Sequence, residues 1–168
     1  MKLRTLGFLL SALASFAAFG EEATEQMLVS KRDYMLNWNR DVPIVCKPGD
    51  VEPFAGKSMG DVFGTRWPVQ LEPNIEDSRQ SPELISVKSA STPRGMESQR
   101  GIAIVAVLVG SDGAPSQVEP VCLTHGAYLI HAKRTARTAR FKPALFNGVA
   151  VTSVAIVPIR FKPTEQKN

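Results

Sequence analysis

Residues 101–163 read GIAIVAVLVGSDGAPSQVEPVCLTHGAYLIHAKRTARTARFKPALFNGVAVTSVAIVPIRFKP, and the fold turns on them. Residues 102–109 are apolar without interruption. A half-buried strand alternates apolar with polar, so an unbroken run of this length predicts a central strand covered on both faces. Ser111-Asp112-Gly113 follows as a hairpin turn. The returning strand is expected over 117–123, where Pro120 implies an edge strand or a bulge. Residues 126–140 read as a helix. Leu129, Ala132, Ala136 and Ala139 fall three or four apart and form one narrow face toward the sheet, while Lys133, Arg134, Arg137 and Arg140 point elsewhere. Asn147-Gly148 then leads into a last strand over 152–161, in which Pro158 cannot donate and so implies an edge or a bulge.

Upstream of this unit, 84–87 is a short strand candidate. Pro93 suits the opening of a helical turn through 94–99, which Gly101 ends. Residues 72–83 (EPNIEDSRQSPE) are polar with two prolines and mark a linker and domain boundary. Glycines at 56, 60 and 64 make 54–67 too Gly-rich for a good helix, and it reads as irregular or hairpin structure. Gly56-Lys57-Ser58 has the look of a phosphate loop, but the leading glycine of that motif would fall on Val51, which excludes it. Residues 34–46 carry aromatic and β-branched side chains and end in the turn signal Lys47-Pro48-Gly49-Asp50. Residues 21–31 suit either a helix start or a flexible lead.

The first twenty residues have the three parts of a secretory signal: Lys2 and Arg4, a short apolar stretch, and Ala18-Phe19-Gly20 before Glu21-Glu22. The apolar stretch is shorter than the ~20 residues that a spanning helix needs. Cleavage after Gly20 and a periplasmic location are expected, an uncleaved inner-membrane anchor facing the periplasm being the alternative. Loss of Lys2 and Arg4 takes two from the net charge of +4. A balance so mild is no footprint for nucleic acid, whose binders concentrate their basic residues. Cys46 and Cys122 are an even pair in an oxidising compartment, so one disulfide is the expectation. Chain-entropy arguments give such a link roughly 4 kcal/mol.

Gly101, the apolar strand, Asp112-Gly113, the Ala-spaced helix, Phe141-Lys142-Pro143-Ala144, Asn147-Gly148 and Val157-Pro158-Ile159-Arg160-Phe161 together resemble the C-terminal domain of TonB-family energy transducers. The resemblance covers residues 84–164. It implies an α+β domain, a small antiparallel sheet backed by two helices, preceded here by an irregular N-terminal region over 21–83. It also implies that the domain binds a segment of an outer-membrane receptor as an added strand, main-chain bonds supplying affinity. The edge so implied comprises Val154, Ile156, Pro158, Ile159, Arg160 and Phe161. Two positions depart from the family pattern: Ala139 stands where an aromatic precedes Phe141, and Thr92-Pro93 replaces the Tyr-Pro of the first helix. The prolines are scattered rather than gathered into a periplasm-spanning spacer. The fold and the peptide-binding tendency therefore carry over ahead of energy transduction itself.

Other chemistry is weaker. Cys122 and His125 stand at C-x2-H spacing with His131 beyond, but a closed zinc site wants four ligands, and a disulfide is the better use of Cys122. The same bond would remove Cys122 as a nucleophile beside His125. The basic helix face reads as solvated rather than as an anion site, and Glu72, Glu76 and Asp77 lie in the linker without a scaffold to make them an acid–base pair. The expectation is thus a non-enzymatic periplasmic protein, with no metal or cofactor, that takes an outer-membrane receptor or other envelope protein in TonB-dependent transport. The alternative is an envelope module that self-associates as a homodimer through its sheet edge.

Overall fold

The computed structural model describes residues 40–68 and 78–163. The expected signal sequence, residues 21–31 and most of the 72–83 linker, with Glu72, Glu76 and Asp77, lie outside them. Among the described residues no helix is long and apolar enough to cross a membrane.

In chain order the elements are α1 (Met59–Phe63), β1 (Arg79–Gln80), β2 (Glu83–Ser86), β3 (Gly101–Val109), β4 (Pro115–Leu123), α2 (Leu129–Ala136), β5 (Arg140–Lys142), β6 (Ala144–Phe146), β7 (Val149–Val151) and β8 (Ser153–Phe161). Among the described residues they form an α+β domain of three small antiparallel sheets, ordered β4–β3–β8, β1–β6–β7 and β2–β5, with two short helices.

The unbroken apolar run is β3, and it is central for the reason its composition suggests: both of its faces are covered. Ala103, Val105, Val107 and Val109 point into one core with Tyr128, Ala132, Ala136, Ala139, Phe141, Val157, Ile159 and Phe161. Ala106 and Leu108 point into a second with Ile44, Met59, Val62, Phe63, Val121 and Val154. Each fully buried Val or Leu contributes about 1.5–3 kcal/mol, so leaving either face bare would forfeit several such terms. The second face is roofed by 40–68, which reaches it through an isolated pairing of Val51 with Leu123 and a disulfide from Cys46 to Cys122.

The turn after β3 forms as its residues suggest. Asp112 Oδ1 accepts from Ala114 N at 2.9 Å, and Gly113 takes φ +76°. The following helix is shorter than expected. A single turn of tight helix over Gly126–Tyr128 leads into α2, which stops at Ala136. The Thr138 hydroxyl donates to Thr135 O at 2.7 Å, and Arg140 has already joined β5 to pair with β2. Ala132, Ala136 and Ala139 are nonetheless fully buried, Ala139 from beyond the helix end.

Two local expectations are corrected. Residues 94–99 form two successive turns, Met96 N to Pro93 O and Gln99 N to Met96 O, because Gly95 at φ +81° takes the chain out of helical geometry. Residues 59–63 are a short helix despite Gly60. Ser58 and Asp61 cap each other's backbone N–H groups there, which offsets much of the cost of starting a helix. The bare Cα of Gly60 also lets the Arg40 side chain lie against it.

Candidate functional site: the β8 edge

β8 is the outer strand of the central sheet, and its residues pair with β3 from Gly101↔Phe161 to Val109↔Ser153 without a register shift. Its side chains alternate. Ala155, Val157, Ile159 and Phe161 enter the first core, whereas Pro158 and Arg160 are exposed on the other face and Ile156 is half-buried there. Phe161 anchors the strand's end, its ring stacked on Tyr128 with centroids 4.2 Å apart and planes at 15°. Gly101 makes this stack fit, since a Cβ at that position would collide with the Tyr128 ring.

The direction of the main-chain groups follows from the ladder. Thr124 N donates to Ile102 O at 3.0 Å, and Ile102 N donates to Thr124 Oγ1 at 3.1 Å, so the even-numbered residues of β3 face β4 and the odd-numbered ones face β8. Pro158 lies opposite Ile104 and therefore turns its nitrogen away from β3, the one orientation in which a strand proline costs the ladder nothing. By alternation, Val154, Ile156 and Arg160 turn their N–H groups outward too, and with Pro158 their carbonyls. No hydrogen bond is made to these groups among the described residues.

The opposite edge differs. β4 carries prolines at 115 and 120, its pairing with β3 shifts register twice, and Val51 holds its end at Leu123 through bonds of 2.7 and 3.0 Å. Prolines, bulges and covering segments are how sheet edges are made unavailable to other chains. β8 has a single proline and no bulge.

All six expected edge residues, Val154, Ile156, Pro158, Ile159, Arg160 and Phe161, thus lie on β8, although Ile159 and Phe161 serve the core. The other motif residues build the scaffold behind it. Gly113 and Phe141 meet: Phe141 N donates to Gly113 O at 3.0 Å, while the Phe141 ring is buried. Pro143 joins β5 to β6, Ala144 is fully buried, and Asn147-Gly148 is the turn between β6 and β7. Asn147 also accepts from Ser78 N through Oδ1 at 2.8 Å and donates its own N–H to Ser78 O, pinning the chain just before β1.

The histidines have local roles. His125 Nδ1 accepts from Ala127 N at 3.1 Å, and His131 Nδ1 lies 3.0 Å from Ser91 Oγ. Cys122 and Cys46 have their sulfurs at 1.93 Å. Among the described residues no group of three His, Cys, Asp or Glu side chains is placed to hold a metal. On the basic face, Lys133 pairs with Glu119 at 2.8 Å, and Arg134, Arg137 and Arg140 are exposed. Sequence reasoning missed the part played by Val51 and by Ile44, Met59, Val62 and Phe63. The one signal that ties their segment to the end of β4 is the Cys46–Cys122 pairing. No family model, no curated protein and no solved structure matches this chain.

Proposed function

We propose that this chain is a non-enzymatic periplasmic protein whose residues 84–164 form a TonB-type C-terminal domain. In this reading it binds an outer-membrane receptor or other envelope protein by strand addition along β8, in TonB-dependent transport. One observation carries it: β8 is a regularly paired edge without a bulge, its outward main-chain groups unbonded among the described residues, beside a second edge that is blocked. Affinity would come from the outward groups of Val154, Ile156, Pro158 and Arg160, and selectivity from the exposed Pro158 and Arg160 side chains.

The test uses Ile156→Pro, which removes one outward N–H and leaves the bonds to β3 in place. A neutral hydrogen bond is worth about 1 kcal/mol net, so receptor retention by the immobilised protein should weaken roughly fivefold or more. Thermal unfolding should stay cooperative and shift only by the packing lost where the half-buried Ile156 meets the second core. If the wild-type protein retains no envelope protein, or the variant binds as well, the reading fails. The same edge also suits a second copy of the chain, because an antiparallel strand is its own complement about a two-fold axis. A dimer in sedimentation that Ile156→Pro abolishes would favour that reading over receptor binding.

A further inference from the structure

Residues 44–57 form a loop whose neck is closed on itself. Ile44 N donates to Lys57 O and Met59 N to Val42 O, both at 3.0 Å, and Pro43 bridges Ser58. Beyond the neck, α1 is held on the second core by the buried Met59, Val62 and Phe63. The loop itself has little of this. Between Val45 and Lys57 no residue is buried, Phe54 and Cys46 being half-buried at its inner side. Its inner side touches the second core through Phe54, and two adjacent attachments tie it to β4: the Val51–Leu123 pairing and the Cys46–Cys122 disulfide. The disulfide is where the loop meets the bulge of β4, since Ile104 pairs with Cys122 and Val105 with Pro120, leaving Val121 as the extra residue.

We propose that this disulfide is a redox-operated clasp, and that its reduction releases the loop from β4 without unfolding the domain. Lifted, the loop would free the N–H and carbonyl of Leu123 that Val51 now occupies, and would open the end of the otherwise blocked edge. The reductant is a dithiol. One of its thiolates attacks Sγ of Cys46, the less buried of the two residues, and Cys122 leaves as a thiolate. The second thiol of the reductant then displaces Cys46, giving a cyclic disulfide and two protein thiols, a two-electron transfer. Release stays local because the apolar contacts that fix the rest of the segment, at Ile44 and in α1, lie at or beyond the neck. This inference is independent of which partner β8 takes.

Amide hydrogen exchange on the full chain, with and without dithiothreitol, tests it. Reduction should speed exchange at Val51 and Leu123 by at least about tenfold, while the amides of α1 and of Ala103, Val105 and Val107 in β3 keep their rates. A Cys46→Ser, Cys122→Ala double variant should give the same pattern without reductant. Unchanged exchange at Val51 and Leu123 in thiol-titrated, fully reduced protein would mean that packing holds the loop. Parallel acceleration in β3 would mean that the bond staples the whole domain. Either result overturns the clasp.

Discussion

Gly113 and Gly148 provide a matched pair for testing how the turn after β3 is fixed. Their φ angles are +76° and +79°, so alanine at either position meets the same left-handed backbone cost, about 1–2 kcal/mol. Their surroundings differ. A Cβ on Gly148 meets nothing within 4 Å, whereas one on Gly113 runs into the carbonyl of Phe141. That carbonyl belongs to β5 and cannot swing aside, because Phe141 N bonds back to Gly113 O at 3.0 Å and the Phe141 ring is buried in the first core. Relief of the collision therefore breaks this hydrogen bond, worth about 1 kcal/mol, and disturbs the ring's packing as well. Gly148→Ala should cost about 1–2 kcal/mol and Gly113→Ala about 2–4 kcal/mol. Urea denaturation of the oxidised proteins would resolve the gap as a lower midpoint at unchanged slope. Equal losses for the two variants would refute the argument that turn and β5 are locked together by a side-chain-free contact.

Two further outcomes are expected. The Tyr128 hydroxyl is buried without a hydrogen-bond partner among the described residues, so Tyr128→Phe should leave stability within about 0.5 kcal/mol of wild type or raise it. Tyr128→Ala, which removes the stack on Phe161, should cost about 3–5 kcal/mol in the same denaturation assay. The hydrogen bonds from the backbone and side chain of Ser58, helped by Arg40 and Lys57, hold the Asp61 carboxyl below its ordinary value of 3.8. A depressed folded pKa stabilises the fold above the unfolded value, and the contribution is lost as pH falls through the folded pKa. An NMR titration should therefore place Asp61 below 3.8, with protection of the Ser58 amide fading in the same range, and a midpoint at or above 3.8 would refute the cap.

Legibility in the sequence followed the reach of each interaction. Contacts between near neighbours could be read: the uniform apolar run of β3, the Asp112-Gly113 and Asn147-Gly148 turns, and the alanine spacing that buries Ala132, Ala136 and Ala139. The proline at 158 pointed to an edge or a bulge, and the unshifted pairing with Ile104 decides for the edge. Contacts that depend on distant chain were not legible. The stop of α2 at Ala136 rather than near Arg140 reflects competition from β2, which draws Arg140–Lys142 into a strand. Met59, Val62 and Phe63 do fall three and four apart, but Gly60 and Gly64 argued against a helix, and Ile44 lies outside any such spacing. Only the bare second face of β3, which had to be covered by something, implied that such a group existed. The motif residues were legible as a set but not as a mechanism, since the meeting of Gly113 with Phe141 spans the whole of α2.

The unequal edges of the central sheet have a further consequence for stoichiometry. A sheet with two accepting sides can be extended indefinitely, like a polymer with two reactive ends. Among the described residues, this one has an unpaired, unshifted side at β8 and a side at β4 where prolines, bulges and Val51 intervene. Two copies joined edge to edge at β8 would present a β4 at each outer margin, so that joint could not repeat. Association of copies through β8 alone would therefore close at two.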